Sequence, residues 1–121
     1  TEALGRDWST SPVSCAQGSG YGGAIGPSQF IPSTWMLYKD RLSRLTGENF
    51  PDPWSARTAI FATALLMKDN GADAGTRTAE RTAALKYFAG GNWKKAANAP
   101  YGDGVMNLAA KIQAEIDILG G

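Results

Sequence analysis

The stretch PSTWMLYKDRLSRL, Pro32 to Leu45, decides how this chain folds. Trp35, Tyr38, Leu42 and Leu45 recur at three- and four-residue spacing, so one stripe of a helix should face a core. Pro32 suits a first helical turn, and Gly47 is a good stop just beyond the end. Asp52 is placed to cap a second helix, with Pro53 in its first turn. That helix should run through ARTAIFATALLMKD and end near Asn70-Gly71. It is apolar nearly all round, as expected of a central, buried helix.

Reading outward, residues 72–76 form a turn, and Thr76 or Thr78 can cap a third helix through Phe88, closed by Gly90-Gly91. Residues 91–104 read as a loop with a helical turn at WKKAA, and Asp103 reads as a turn residue in YGDG. A last helix should span about Val105 to Leu119. Its stripe is Val105, Leu108, Ile112, Ile116 and Leu119, with Gly120 as the stop. There is no alternating strand of useful length and no internal repeat. The expected class is all-α: four helices with short links in one domain. Residues 1–26 form a loop-rich, glycine-rich arm, and 27–121 form the helical core.

Composition narrows the function. The 121 residues are 43% hydrophobic and 19% charged, as in a globular domain. A net charge of +1 makes no electrostatic case for nucleic acid or an anionic membrane. The chain has no histidine, so a Ser-His-Asp or Cys-His site cannot be built within it. Cys15 is the single cysteine and reads as a small, partly buried loop residue. No acidic cluster has calcium-loop spacing, so neither metal nor cofactor is expected. No run approaches the roughly 20 apolar residues of a membrane span. The opening TEALGRDW is no signal peptide, and the missing first Met suggests a fragment or processed form.

The densest chemical signal is GYGGAIGPSQFIPSTW, Gly20 to Trp35. No GK[ST] and no preceding strand make it a phosphate or dinucleotide loop. What remains is a glycine-rich bend with Ser28 and Gln29 at its edge. A glutamine amide both donates and accepts, which suits sugar hydroxyls and N-acetyl groups. The plainer reading is that Ser28 and Gln29 only cap the following turn.

GAIGPSQFIPSTW is similar to the glycine-rich Gln motif of lytic murein transglycosylases, departing by Ile25 and Ser28 from the usual Met and Ala. KYFAGGNW, Lys86 to Trp93, resembles the family's Tyr-Asn-x-Gly motif, with Tyr87 matching and Phe88 in place of Asn. DPW at Asp52, KDNG near Asn70 and YGDGVMNLAAKIQ extend the resemblance over about residues 20–119. The resemblance implies a lysozyme-like helical fold and cleavage of the N-acetylmuramic acid β-1,4-N-acetylglucosamine bond. One glutamate serves as acid and then base, and the muramoyl 6-hydroxyl closes on the anomeric carbon to give a 1,6-anhydro product. It further implies that Ser28 and Gln29 line the sugar groove, with Tyr87 beside the catalytic carboxyl. Tyr21 and Tyr101, read as loop residues, are further groove candidates. Peptidoglycan glycan strands would be the partner, a monomer the working form, and the cell envelope (periplasmic or extracellular) the location.

The family's glutamate lies upstream of the Gln motif, in a Glu-Ser pair on a preceding helix. Upstream of Gly20 this chain offers Glu2 and Asp7, and no Ser follows Glu2. The catalytic helix is therefore expected outside this fragment, with Glu2 as the weaker candidate. Glu48, Asp52, Glu80, Glu115 and Asp117 each read as caps, first-turn or solvated residues. Two other readings stand beside the enzyme: a module that grips glycan without cutting it, and a plain helical interaction domain.

Overall fold

A computed structural model describes residues 2–7, 9–15 and 23–120, without the Glu2 side chain. The described residues are mostly helical: α1 Pro32–Thr46, α2 Ala56–Asp69, α3 Arg77–Ala89 and α4 Ala99–Ile118. Short 3₁₀ turns occupy Glu2–Leu4, Ala72–Ala74, Gly90–Asn92 and Ala96–Asn98. Extended pairing among the described residues is limited to isolated antiparallel bridges, Val13 with Ile25 and Ile25 with Phe30. The chain forms two compact units, 1–64 and 65–121.

In the first unit, α1 begins at Pro32 as its sequence dictates and ends on Gly47 in the left-handed region, φ 77°. Trp35, Tyr38 and Leu42 are buried on one stripe, as expected. Leu45, the last member of that stripe, is exposed. Phe30 arrives from the preceding loop and meets Trp35 and Tyr38 edge to face, with centroids 5.8 and 5.7 Å away. These edge-on contacts suit the ring quadrupoles and weld the loop to the helix.

The glycines next to this cluster are steric requirements. A Cβ on Gly23 would lie 1.6 Å from the Ser14 carbonyl oxygen. One on Gly26 would lie 1.8 Å from that of Pro53, and Gly26 also sits at φ 64°. Backbone here packs directly on backbone, which only glycine permits.

The second helix begins later than its sequence suggests. Asp52 caps a separate turn: its Oδ1 accepts from Trp54 N at 2.9 Å and its carbonyl accepts from Ser55 N. The helix then starts at Ala56, with the Ser55 carbonyl accepting from Ala59 N and the Ser55 hydroxyl from Thr58 N. Nor is α2 buried all round. Thr58, Ala59 and Ala62 are covered, Phe61, Leu65, Leu66 and Met67 are half-buried, and Ile60 is exposed. The buried Thr58 hydroxyl donates to Glu48, which also pairs with Arg57. Cys15 is exposed rather than partly buried, lying just beyond the Val13 bridge that ties down the arm.

In the second unit, Thr76 caps α3 by accepting from Ala79 N. Contrary to the expected loop at 91–104, α4 starts at Ala99. Pro100 lies in its first turn, where a missing N–H does no harm. Gly102 and Gly104 are therefore helical. A Cβ on Gly102 would meet the Leu85 side chain at 2.9 Å, so this glycine lets α4 approach α3 closely. Asp103 is not a turn residue but the partner of Arg81, at 2.7 Å. Of the expected stripe, Leu108, Ile112, Ile116 and Leu119 are exposed. Along α4 the last buried residue among those described is Met106.

Two substitutions test this steric account by urea unfolding. Gly26→Ala should destabilise by about 3 kcal/mol or more, through a backbone clash at positive φ. Gly104→Ala has open space around it and an ordinary φ, and should stabilise by about 1 kcal/mol through helix propensity. The Asp103 carboxyl is held below its ordinary value of about 3.8, chiefly by its hydrogen bond from Arg81. A depressed folded-state value stabilises above the unfolded value and is lost as pH falls through the folded one. Asp103→Asn should therefore flatten the acid-side loss of melting temperature below about pH 4 and leave the neutral-to-alkaline profile parallel to wild type.

Candidate functional site

The Gln29 loop follows from three constraints. Ile25 N donates to Phe30 O at 2.8 Å and closes the loop. Phe30 and Ser28 are buried, which turns Pro27 and Gln29 outward. Gln29 itself takes φ 55°, the one non-glycine residue at positive φ among those described. That conformation costs an L-residue roughly 1–2 kcal/mol. It is partly offset locally: Gln29 N and Nε2 both donate to the Gly26 carbonyl, at 3.1 and 2.9 Å. Nothing about α1 needs a glutamine here, and glycine or asparagine would suit the backbone better. The side chain is thus held outward against its own backbone preference.

Gln29 borders a concavity of about 490 Å³, walled by Pro12 and Val13 from the arm, by Pro27, and by Trp54. Among the described residues no charged side chain lines it. Trp54 is fixed from three sides. Its backbone N donates to Asp52, and its indole Nε1 donates to Pro12 O at 2.9 Å. The Arg6 guanidinium lies 5.3 Å from its ring centroid. Arg6 is in turn clamped by Asp52: Nε donates to both carboxylate oxygens at 3.1 Å, and Nη2 adds a shorter bond. These hydrogen bonds push the Arg6 pKa above its already high ordinary value, so it stays charged. Trp54 also walls a second, more apolar groove of about 450 Å³, with Trp35, Met36, Phe50 and Pro53.

The other sequence candidates fall as follows. Ser28 is buried, so within this pair Gln29 is the residue that can meet a ligand without the loop opening. Glu2 opens a 3₁₀ turn, and its side chain lies outside the described atoms. Tyr21 lies outside the described residues. In the second unit, Tyr87 is half-buried near the end of α3. Tyr101 is in α4, not in a loop, and stacks on Phe88 with centroids 4.1 Å apart and planes 12° apart. Both rings of that pair are exposed. The ammonium groups of Lys86 and Lys94 lie 5.6 and 5.2 Å from the Trp93 ring centroid.

Sequence reasoning missed the Arg6–Asp52–Trp54 assembly. Its legible part was the DPW tripeptide, where an Asp can bond the amide two residues on. Arg6 could not be paired with it, because 46 residues separate them. Among the described residues no group of three or more His, Cys, Asp or Glu could hold a metal ion. No helix among them is long and apolar enough to cross a membrane. Comparison with family models, curated proteins and solved structures finds no match to this chain.

Gln29→Gly tests the side chain at this position, because glycine accepts the backbone angle while losing the amide and its bond to the Gly26 carbonyl. Thermal unfolding should show stability within about 1 kcal/mol of wild type. Retention of the immobilised chain on insoluble peptidoglycan should nevertheless fall. Unchanged retention would leave Gln29 as a loop residue only.

Proposed function

We propose that this chain is a glycan-gripping part of a peptidoglycan lytic transglycosylase domain with a lysozyme-like fold, working at the cell envelope. The observation that carries the proposal is Gln29. It is an exposed amide held at positive φ, on the rim of an uncharged, aromatic-walled concavity, within the sequence GAIGPSQFIPSTW. An amide offers a donor and an acceptor to a hydroxyl or acetamido group, and apolar walls suit the C–H faces of a pyranose. In the reaction implied by the resemblance, one carboxyl protonates the leaving glycosidic oxygen. The same group then takes the proton of the muramoyl 6-hydroxyl as that oxygen attacks the anomeric carbon. A second protein carboxylate is unnecessary because the substrate supplies the nucleophile, unlike the two-carboxylate arrangement of most glycosidases.

A second reading, glycan binding without cleavage, is favoured by one specific observation. Asp7, Glu48 and Asp52 are each engaged, by Ser9, by Thr58 with Arg57, and by Arg6 respectively. The hydrogen bonds from Ser9 hold the Asp7 carboxyl below its ordinary value, which makes it a poor proton donor at neutral pH. Glu2 is the remaining acid that the chain offers upstream of Gln29.

Mass spectrometry of muropeptides released from purified peptidoglycan, with Glu2→Gln alongside, tests both readings. Release of 1,6-anhydro products that vanish in the variant would make Glu2 the acid and the chain an enzyme. Binding to insoluble peptidoglycan without release would support the gripping module. Neither binding nor release would overturn both.

A further inference from the structure

The transglycosylase reading assigns no role to Trp54, yet this residue is the most firmly positioned aromatic on the rim that Gln29 occupies. We infer that Trp54 is the stacking platform for a neutral pyranose ring in the Gln29 concavity, an inference that rests on the glycan reading above. Three features support it. First, Trp54 and Gln29 line the same concavity, which has a volume within the roughly 300–1,000 Å³ of small-molecule sites. Second, the described lining of the concavity carries no charged side chain, which suits a neutral occupant held by apolar faces and dipoles. An N-acetylhexosamine presents both: a C–H face for an indole, and an acetamido group for an amide.

Third, Trp54 is held more tightly than packing alone requires. Asp52 fixes its backbone, the Pro12 carbonyl fixes the indole N–H, and Arg6 lies over the ring. The ring is only half-buried despite these restraints. A tryptophan whose purpose was core filling would be covered, as Trp35 is. Orienting an aromatic ring before a ligand arrives removes the entropy of ordering it on binding. Arg6 and Asp52 are accordingly positioning residues. Because Arg6 is paired with Asp52, it adds no unpaired charge to the site.

The experiment uses chitotetraose, a neutral β-1,4-linked N-acetylglucosamine oligomer, with the full 121-residue chain. Binding is read by calorimetry and by tryptophan fluorescence, and folding by circular dichroism. Trp54→Leu keeps an apolar side chain without a π-face, and a folded variant should bind at least about tenfold more weakly. Trp54→Phe keeps a smaller π-face, and should bind within about threefold of wild type by calorimetry. It should also lose the ligand-induced fluorescence change despite retaining the other tryptophans. A merely structural Trp54 would shift melting temperature in both variants and leave affinity and the fluorescence response alone. The inference is overturned if folded Trp54→Leu binds like wild type, or if the fluorescence change persists in Trp54→Phe. Wild-type protein that fails to bind chitotetraose would instead sink the glycan reading together with this inference. Loss of binding in Gln29→Gly with normal binding in Trp54→Leu would remove the platform alone.

Discussion

The approach of Gly26 to the Pro53 carbonyl governs the first unit. Two backbone segments touch there without side chains between them, and a Cβ would have to sit 1.8 Å from an oxygen. That contact sets where the loop before α1 meets the turn before α2. On one side of it the loop carries Phe30 inward onto Trp35 and Tyr38, and Gln29 outward. On the other side the turn carries Asp52 and Trp54. The amide and the indole therefore share a concavity because the backbones that bear them are locked together, though 25 positions of sequence divide Gln29 from Trp54.

Polar pairing then refines what the steric contact creates. Asp52 serves the turn through Trp54 N and anchors the arm through Arg6, so one carboxylate ties the two segments together. Such a pair on a partly exposed surface contributes little to global stability. Its importance is geometric: it holds Arg6 over the indole while Pro12 holds the indole edge. Glu48 plays a comparable part between the end of α1 and the start of α2, by accepting from the buried Thr58 hydroxyl. Both carboxylates are thereby committed to structure.

The second unit is organised by a different contact of the same kind. Gly102 lets α4 lie against Leu85 of α3, and Arg81 reaches Asp103 one position further on. The close crossing brings Tyr101 onto Phe88 as a stacked, exposed pair. Where the transglycosylase motif has an asparagine, this chain presents an aromatic face.

Local signals on the chain were sufficient for the helices whose ends carry their own chemistry. Pro32 and Gly47 bracket α1, and Thr76 caps α3, because such preferences act within one turn of backbone. The all-helical class and the Trp35–Tyr38–Leu42 core stripe were legible for the same reason. Tertiary structure alone decided the rest. Gly102 read as loop, since its helical use depends on how near another helix comes. Asp52 read as the cap of α2, since only the fold reveals that Ser55 does that work and that Arg6 claims the carboxylate. The apolar stripe from Leu108 to Leu119 read as core, since periodicity reports a face but not what covers it. Gln29 was legible as a candidate from its motif, whereas its positive φ and its shared wall with Trp54 emerge only from loop closure and from contacts between segments far apart in the chain.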